Sequence, residues 1–104
     1  MSNSPKTVLV RYQPKPGQET ALLALVRAHH PVLTRIGLAG PMQPQLWTAT
    51  DKRSGGRALL ELFQWRDAAA SELAHHTPEV MAVWESMGPL LESMSISELE
   101  PVAD

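Results

Sequence analysis

The chain contains no cysteine, one phenylalanine and one tyrosine. Without a thiol there can be no disulfide, no thiolate nucleophile and no thiolate metal site. Nine lysines and arginines stand against eleven acids, a net charge of -2, and no basic run occurs anywhere. Nucleic acid is therefore not an expected partner. The longest apolar runs are a few residues, far short of the roughly 20 that span a bilayer, so no membrane partner is expected. Met1 to Lys6 shows no charged region leading into an apolar stretch, hence no visible secretory signal. The expectation is a soluble cytoplasmic protein.

What is present is an ordinary globular composition, 43% apolar and 19% charged over 104 residues. A chain of this size buries about 65% of its unfolded surface, enough for one core. One domain over 1–104 is expected, with a core of about 7–102 and a short flexible tail over 1–6. The chemistry-bearing side chains are four histidines, three tryptophans and a few well-placed acids.

Thr7 to Tyr12 is β-branched and apolar and stops at the Pro14 to Gly17 cluster, which reads as a strand followed by a turn. Leu22, Leu25, Val26, Leu33 and Ile36 follow at helical spacing, with His29 on the same stripe. Pro31 falls inside that pattern, and a kink or break near His29 and His30 is expected. Gln45 to Thr50 and Ala58 to Trp65 flank a polar, glycine-rich loop and read as a hairpin. Asp67 is a good N-cap, and Thr77-Pro78-Glu79 is a second helix start, so the next helical region comes in two pieces. Val80, Trp84, Met87, Leu91 and Met94 form its apolar stripe, bent at Gly88-Pro89. Ser95 to Val102 is expected as the last strand, at an edge because of Pro101.

The order βαββαβ is the ferredoxin-like, α+β arrangement: a four-stranded antiparallel sheet with helices on one face. Strand three has Leu60 and Leu62 on one side and Leu59, Phe63 and Trp65 on the other, so both faces of the sheet need cover. A homodimer packing sheet against sheet would supply it, leaving room for a small apolar or aromatic ligand.

The turn Lys15-Pro-Gly17, the junction Glu61-Leu-Phe-Gln-Trp-Arg-Asp67 and the step Ala74-His75-x-x-Pro78 resemble the antibiotic biosynthesis monooxygenase-like group. The resemblance spans about residues 7 to 102. It implies a dimeric α/β barrel with a cavity between each sheet and its helices. It also implies functions from cofactor-independent oxygenation of aromatic polyketides to haem degradation. The asparagine of the haem-degrading members has no counterpart, since Asn3 is the chain's one asparagine and lies in the tail. No cofactor is expected. The group's histidine near a proline step corresponds to His75 or His76, although the spacing to Pro78 is short.

Glu61 interrupts an apolar strand, on the face of Leu59, Phe63 and Trp65. Such a carboxylate is either a general base or half of a structural ion pair with Arg11 or Arg57. His29 beside the proline could take a proton from a phenol or enol, or could be a satisfied histidine on an amphipathic stripe. His30, about 100° round the helix, should face solvent. Adjacent histidines diverge, and neither HxxxH nor HxH spacing occurs, so no metal is expected. His29, Glu61 and His75 are thus the catalytic candidates. Trp47, Phe63, Trp65 and Arg11 are the candidate ligand contacts, with Trp84 assigned to the core. The function expected is binding of a small apolar or aromatic ligand, as a cofactor-independent monooxygenase or as a non-enzymatic binding or dimerisation protein.

Overall fold

The structure, a computed structural model, describes residues 4–103. Four strands and three helices follow one another as β1 (Lys6–Pro14), α1 (Glu19–Arg35), β2 (Gln45–Thr50), β3 (Arg57–Trp65), α2 (Ala68–Ala74), α3 (Pro78–Met87) and β4 (Leu91–Leu99). A 3-10 turn over Gly88–Leu90 joins the last two. All pairings are antiparallel, in the order β2-β3-β1-β4. This is the ferredoxin-like α+β fold. At 19 Å the molecule is two layers thick, one sheet and one layer of helices.

Alternation along the central strands decides which side chains meet the helices. Val8, Val10 and Tyr12 of β1 lie opposite Phe63, Glu61 and Leu59 of β3, and all six are buried. Leu22, Val26, His29 and Leu33 form the buried stripe of α1, one or two turns apart, and pack on that face. Each fully buried Leu or Phe here contributes about 1.5–3 kcal/mol relative to exposure. The opposite, open face carries Leu9, Arg11, Trp47, Leu60 and Leu62, and no helix covers it.

Capping explains the division of the second helical region. Asp67 Oδ1 accepts from the backbone N–H of Ala69 and Ala70, each at 3.0 Å, and starts α2. Pro78 occupies the first turn of α3, where a missing N–H costs nothing. The Thr77 hydroxyl does not cap α3; it donates to the Leu73 carbonyl at 2.8 Å and closes the end of α2. Gly40 is a position where only hydrogen fits: a Cβ there would lie 2.8 Å from Gln64 Cβ and 2.9 Å from the Trp65 carbonyl. That close approach lets Gly40 N–H bond the Gln64 carbonyl and fastens the segment after α1 to the end of β3.

Three sequence expectations change. First, of the kink or break expected near His29 and His30, the break does not occur: α1 is continuous through Pro31, with the Arg27 carbonyl losing the N–H that Pro31 lacks. Second, β4 begins at Leu91 and ends at Leu99, not at Ser95 and Val102. Gly88-Pro89 tightens into a 3-10 turn and ends the helix, so Leu91 and Met94 belong to the strand. Pro101 then lies beyond β4, which is an edge strand without it. Third, β1 starts at Lys6, inside the expected tail over 1–6; Ser4 and Pro5 are exposed and precede the strand, and the remainder of that expectation, with Asn3, falls on residues 1–3, outside the described residues. No helix of the described chain is long and apolar enough to cross a membrane.

Candidate functional site

Register brings the polar residues of the core together. Val10 faces Glu61 across β1 and β3, so Tyr12, two residues along and on the same face, is the diagonal neighbour of Glu61. The Tyr12 hydroxyl donates to Glu61 Oε1 at 2.6 Å. From α1, His29 Nδ1 lies 3.0 Å from Oε2 and 3.1 Å from Oε1 of the same carboxylate. From α3, Trp84 Nε1–H donates to His29 Nε2 at 3.0 Å. Four residues from four elements thus form one chain of hydrogen bonds, with Glu61 0% and His29 2% exposed.

The donor inventory fixes the protons. An indole N–H can only donate, so His29 Nε2 accepts and carries no hydrogen. The imidazole proton of the neutral ring then sits on Nδ1 and is donated to Glu61. The carboxylate accepts from both neighbours. Burial first, then the charge of Glu61 and the hydrogen bond to it, push the Tyr12 phenol far above its ordinary range, so Tyr12 stays protonated.

Beside this chain lies a cavity of about 200 Å³ between the sheet and helices. Its walls are apolar, with Val8, Val10, Phe63, Trp65, Met87 and Leu91 prominent. Tyr12, His29, Ser71, His75 and Trp84 supply the polar groups. Phe63 and Trp65 meet edge to face at 5.2 Å, and His29 stands edge-on to Phe63 at 5.5 Å. Met94 and Ile96 of β4 flank the cavity while remaining 48% and 61% exposed.

Of the residues singled out from the sequence, His29, Phe63, Trp65 and His75 line this cavity, and Glu61 lies behind His29. His75 is the C-cap of α2, exposed, its ring 4.9 Å from that of Trp84. Arg11 and Trp47 are elsewhere. Both alternate onto the open face, where Arg11 lies opposite Leu60 and bonds Gln13, and Trp47 is 58% exposed. Neither arginine pairs with Glu61: Arg57 binds Glu19 at 2.9 Å, and Glu61 takes Tyr12 and His29 instead. His30 does not face solvent; it is half-buried, its ring 6.2 Å from that of Phe63 in a T-shaped arrangement.

Two members of the network are not singled out by sequence reasoning. Tyr12 shares parity with Val8 and Val10, a signal that becomes specific only once the β1–β3 register places it diagonal to Glu61. Trp84 lies on the apolar stripe of α3, and its polar end is what the stripe conceals. For metal binding, both His29 nitrogens are already engaged, and among the described residues no group of three or more histidines and carboxylates gathers.

No family model and no curated protein matches the sequence. Solved structures do match, and over nearly the whole chain. Rv0793 of Mycobacterium tuberculosis is 22% identical with a TM-score of 0.73, covering 97% of this chain and 98% of its own. An antibiotic biosynthesis monooxygenase is 16% identical with a TM-score of 0.70, covering 94% and 99%. SnoaB of Streptomyces nogalater, a cofactor-independent oxygenase, is 13% identical with a TM-score of 0.71, covering 96% and 95%. The fold is that of the antibiotic biosynthesis monooxygenase-like proteins.

Proposed function

We propose that the protein binds a small, apolar or aromatic ligand in the cavity between sheet and helices, as a cytoplasmic homodimer, and that its chemistry is cofactor-independent oxygenation. The observation that carries this reading is an apolar cavity with one imidazole acceptor at its wall, His29 Nε2, backed by a buried carboxylate on the other side of the ring. A neutral imidazole oriented by Glu61 is suited to take a proton from a phenol or enol. The resulting electron-rich carbon reduces O2 itself, one oxygen staying on carbon and the other leaving as water. SnoaB, similar in fold, is a cofactor-independent oxygenase. His75, at the rim, is the second candidate base. Phe63 and Trp65 are the ring contacts.

The dimer rests on the open sheet face, where Leu9, Leu60 and Leu62 are half-buried and Trp47 is exposed in the lone chain. A second subunit packed there would cover them. Sedimentation as a stable monomer at micromolar concentration removes this part of the reading.

Oxygen uptake with anthrone and quinol substrates tests the chemistry. Turnover in the wild type, lost in a Glu61→Gln/His29→Ala double variant, supports oxygenation. Equal rates in both proteins count against it. The second reading, a binding protein without catalysis, is favoured by the hydrogen bond that Trp84 already makes to His29 Nε2; ligand binding without oxygen uptake distinguishes it.

A further inference from the structure

The bond between Trp84 and His29 joins two residues that both line the cavity, and it occupies the one lone pair of the imidazole. Glu61, on the other side of the ring, does not line the cavity, so His29 turns its Nε2 edge toward the space. Trp84 is half-buried and rests against the exposed His75 ring rather than being enclosed in the core. Any ligand that engages His29 must therefore deal with the indole N–H.

The chemistry of the two groups selects what can do so. A carbonyl or ether oxygen accepts only; it would take the indole N–H and leave Nε2 empty. A hydroxyl both accepts and donates from one atom. Placed between the two rings it accepts from Trp84 Nε1–H and donates to His29 Nε2, so no group is left unsatisfied. Charge selects further: among the described residues no lysine or arginine lines the cavity, and the Glu61 carboxylate stands behind His29. An anionic ligand would be repelled and uncompensated. Size selects last, since a void near 150 Å³ accommodates benzene and this one is about 200 Å³.

We propose that the Trp84–His29 hydrogen bond is a latch opened by an uncharged, one-ring hydroxyl compound, whose O–H inserts between the indole and the imidazole. The inference rests on the reading of this cavity as a ligand site and names its ligand class. It excludes three-ring substrates from full enclosure and makes Trp84 a specificity-determining residue.

The test uses the intact protein, with phenol, anisole, toluene and benzoate as probes. Binding is followed by NMR on the methyl groups of Val8, Val10 and Ile96 and on the indole N–H of Trp84, assigned through its proximity to the His75 ring. Phenol should move the cavity methyls and the Trp84 N–H together, whereas toluene should move the methyls alone. Phenol should bind about five-fold tighter than anisole, the worth of about one neutral hydrogen bond. Phenol that moves the methyls with the indole resonance fixed overturns the latch and leaves the ligand site standing. Benzoate binding as tightly as phenol overturns the uncharged class. No shift of the cavity methyls with any probe overturns the site and the latch together.

Discussion

Tyr12 and Glu61 meet across the diagonal of the β1–β3 ladder, phenol oxygen to carboxylate oxygen, at 2.6 Å in a buried setting. Tyr12 is the chain's sole tyrosine. Its ionisation can therefore be followed with no background. Burial and the adjacent carboxylate raise its folded-state pKa above the ordinary value of 10.0. A raised value means that stability is complete below pH 10 and falls as pH rises beyond it. Tyrosinate absorbance should consequently rise only together with loss of the circular dichroism signal. A native-state titration near pH 10 that precedes unfolding would refute the geometry.

Glu61 holds two buried donors, and deleting it leaves both without a partner. Glu61→Ala should cost about 2–6 kcal/mol, about 1–3 for each buried donor left without an acceptor. Glu61→Gln keeps one acceptor but turns an NH2 toward the other donor, and should cost about 1.5–3 kcal/mol. Urea denaturation measures both. An alanine variant within 1 kcal/mol of wild type would mean that the network is not formed.

Asp67 starts α2 with two backbone hydrogen bonds to a helix of only seven residues. Asp67→Ala should destabilise by about 1 kcal/mol, and Asp67→Asn by less, because asparagine also caps. Thermal unfolding of the two variants should rank them in that order. The reverse order would remove the cap from the account.

Glu19 accepts two hydrogen bonds from Arg57, at 3.1 and 2.9 Å. The arginine holds its carboxyl below the ordinary value of 4.5. A lowered folded pKa stabilises above pH 4.5, and that share is lost as pH falls through the folded value. Glu19→Gln should therefore flatten the decline of stability below pH 4.5, and salt should weaken the difference because the pair is exposed. Stability curves of the two proteins that stay parallel from pH 6 to pH 3 would contradict this.

The parts of the fold that were legible are those where local signals agree. Gln45 to Thr50 and the Asp67 cap follow from alternation and capping chemistry alone. The last strand was not legible, because Met87, Leu91 and Met94 continue a helical spacing across Gly88-Pro89, and only the turn there decides where the helix ends. In the site, His29 and Glu61 stand out as polar residues on apolar stripes. Their contact at 3.0 Å is tertiary, since it depends on how α1 seats on β3. Trp47 and Arg11 show the converse: residue type suggested a ligand contact, and strand register places both on the face opposite this cavity.

That same register sorts the three tryptophans. Trp65 and Trp84 border the cavity, while Trp47 lies on the far side of the sheet, 58% exposed. The protein carries its own two-channel optical reporter. Emission accessible to a dissolved quencher belongs chiefly to the surface where a second subunit would sit, and the shielded emission to the chamber where a ligand would sit. Assembly and occupancy can be read separately from one unlabelled sample.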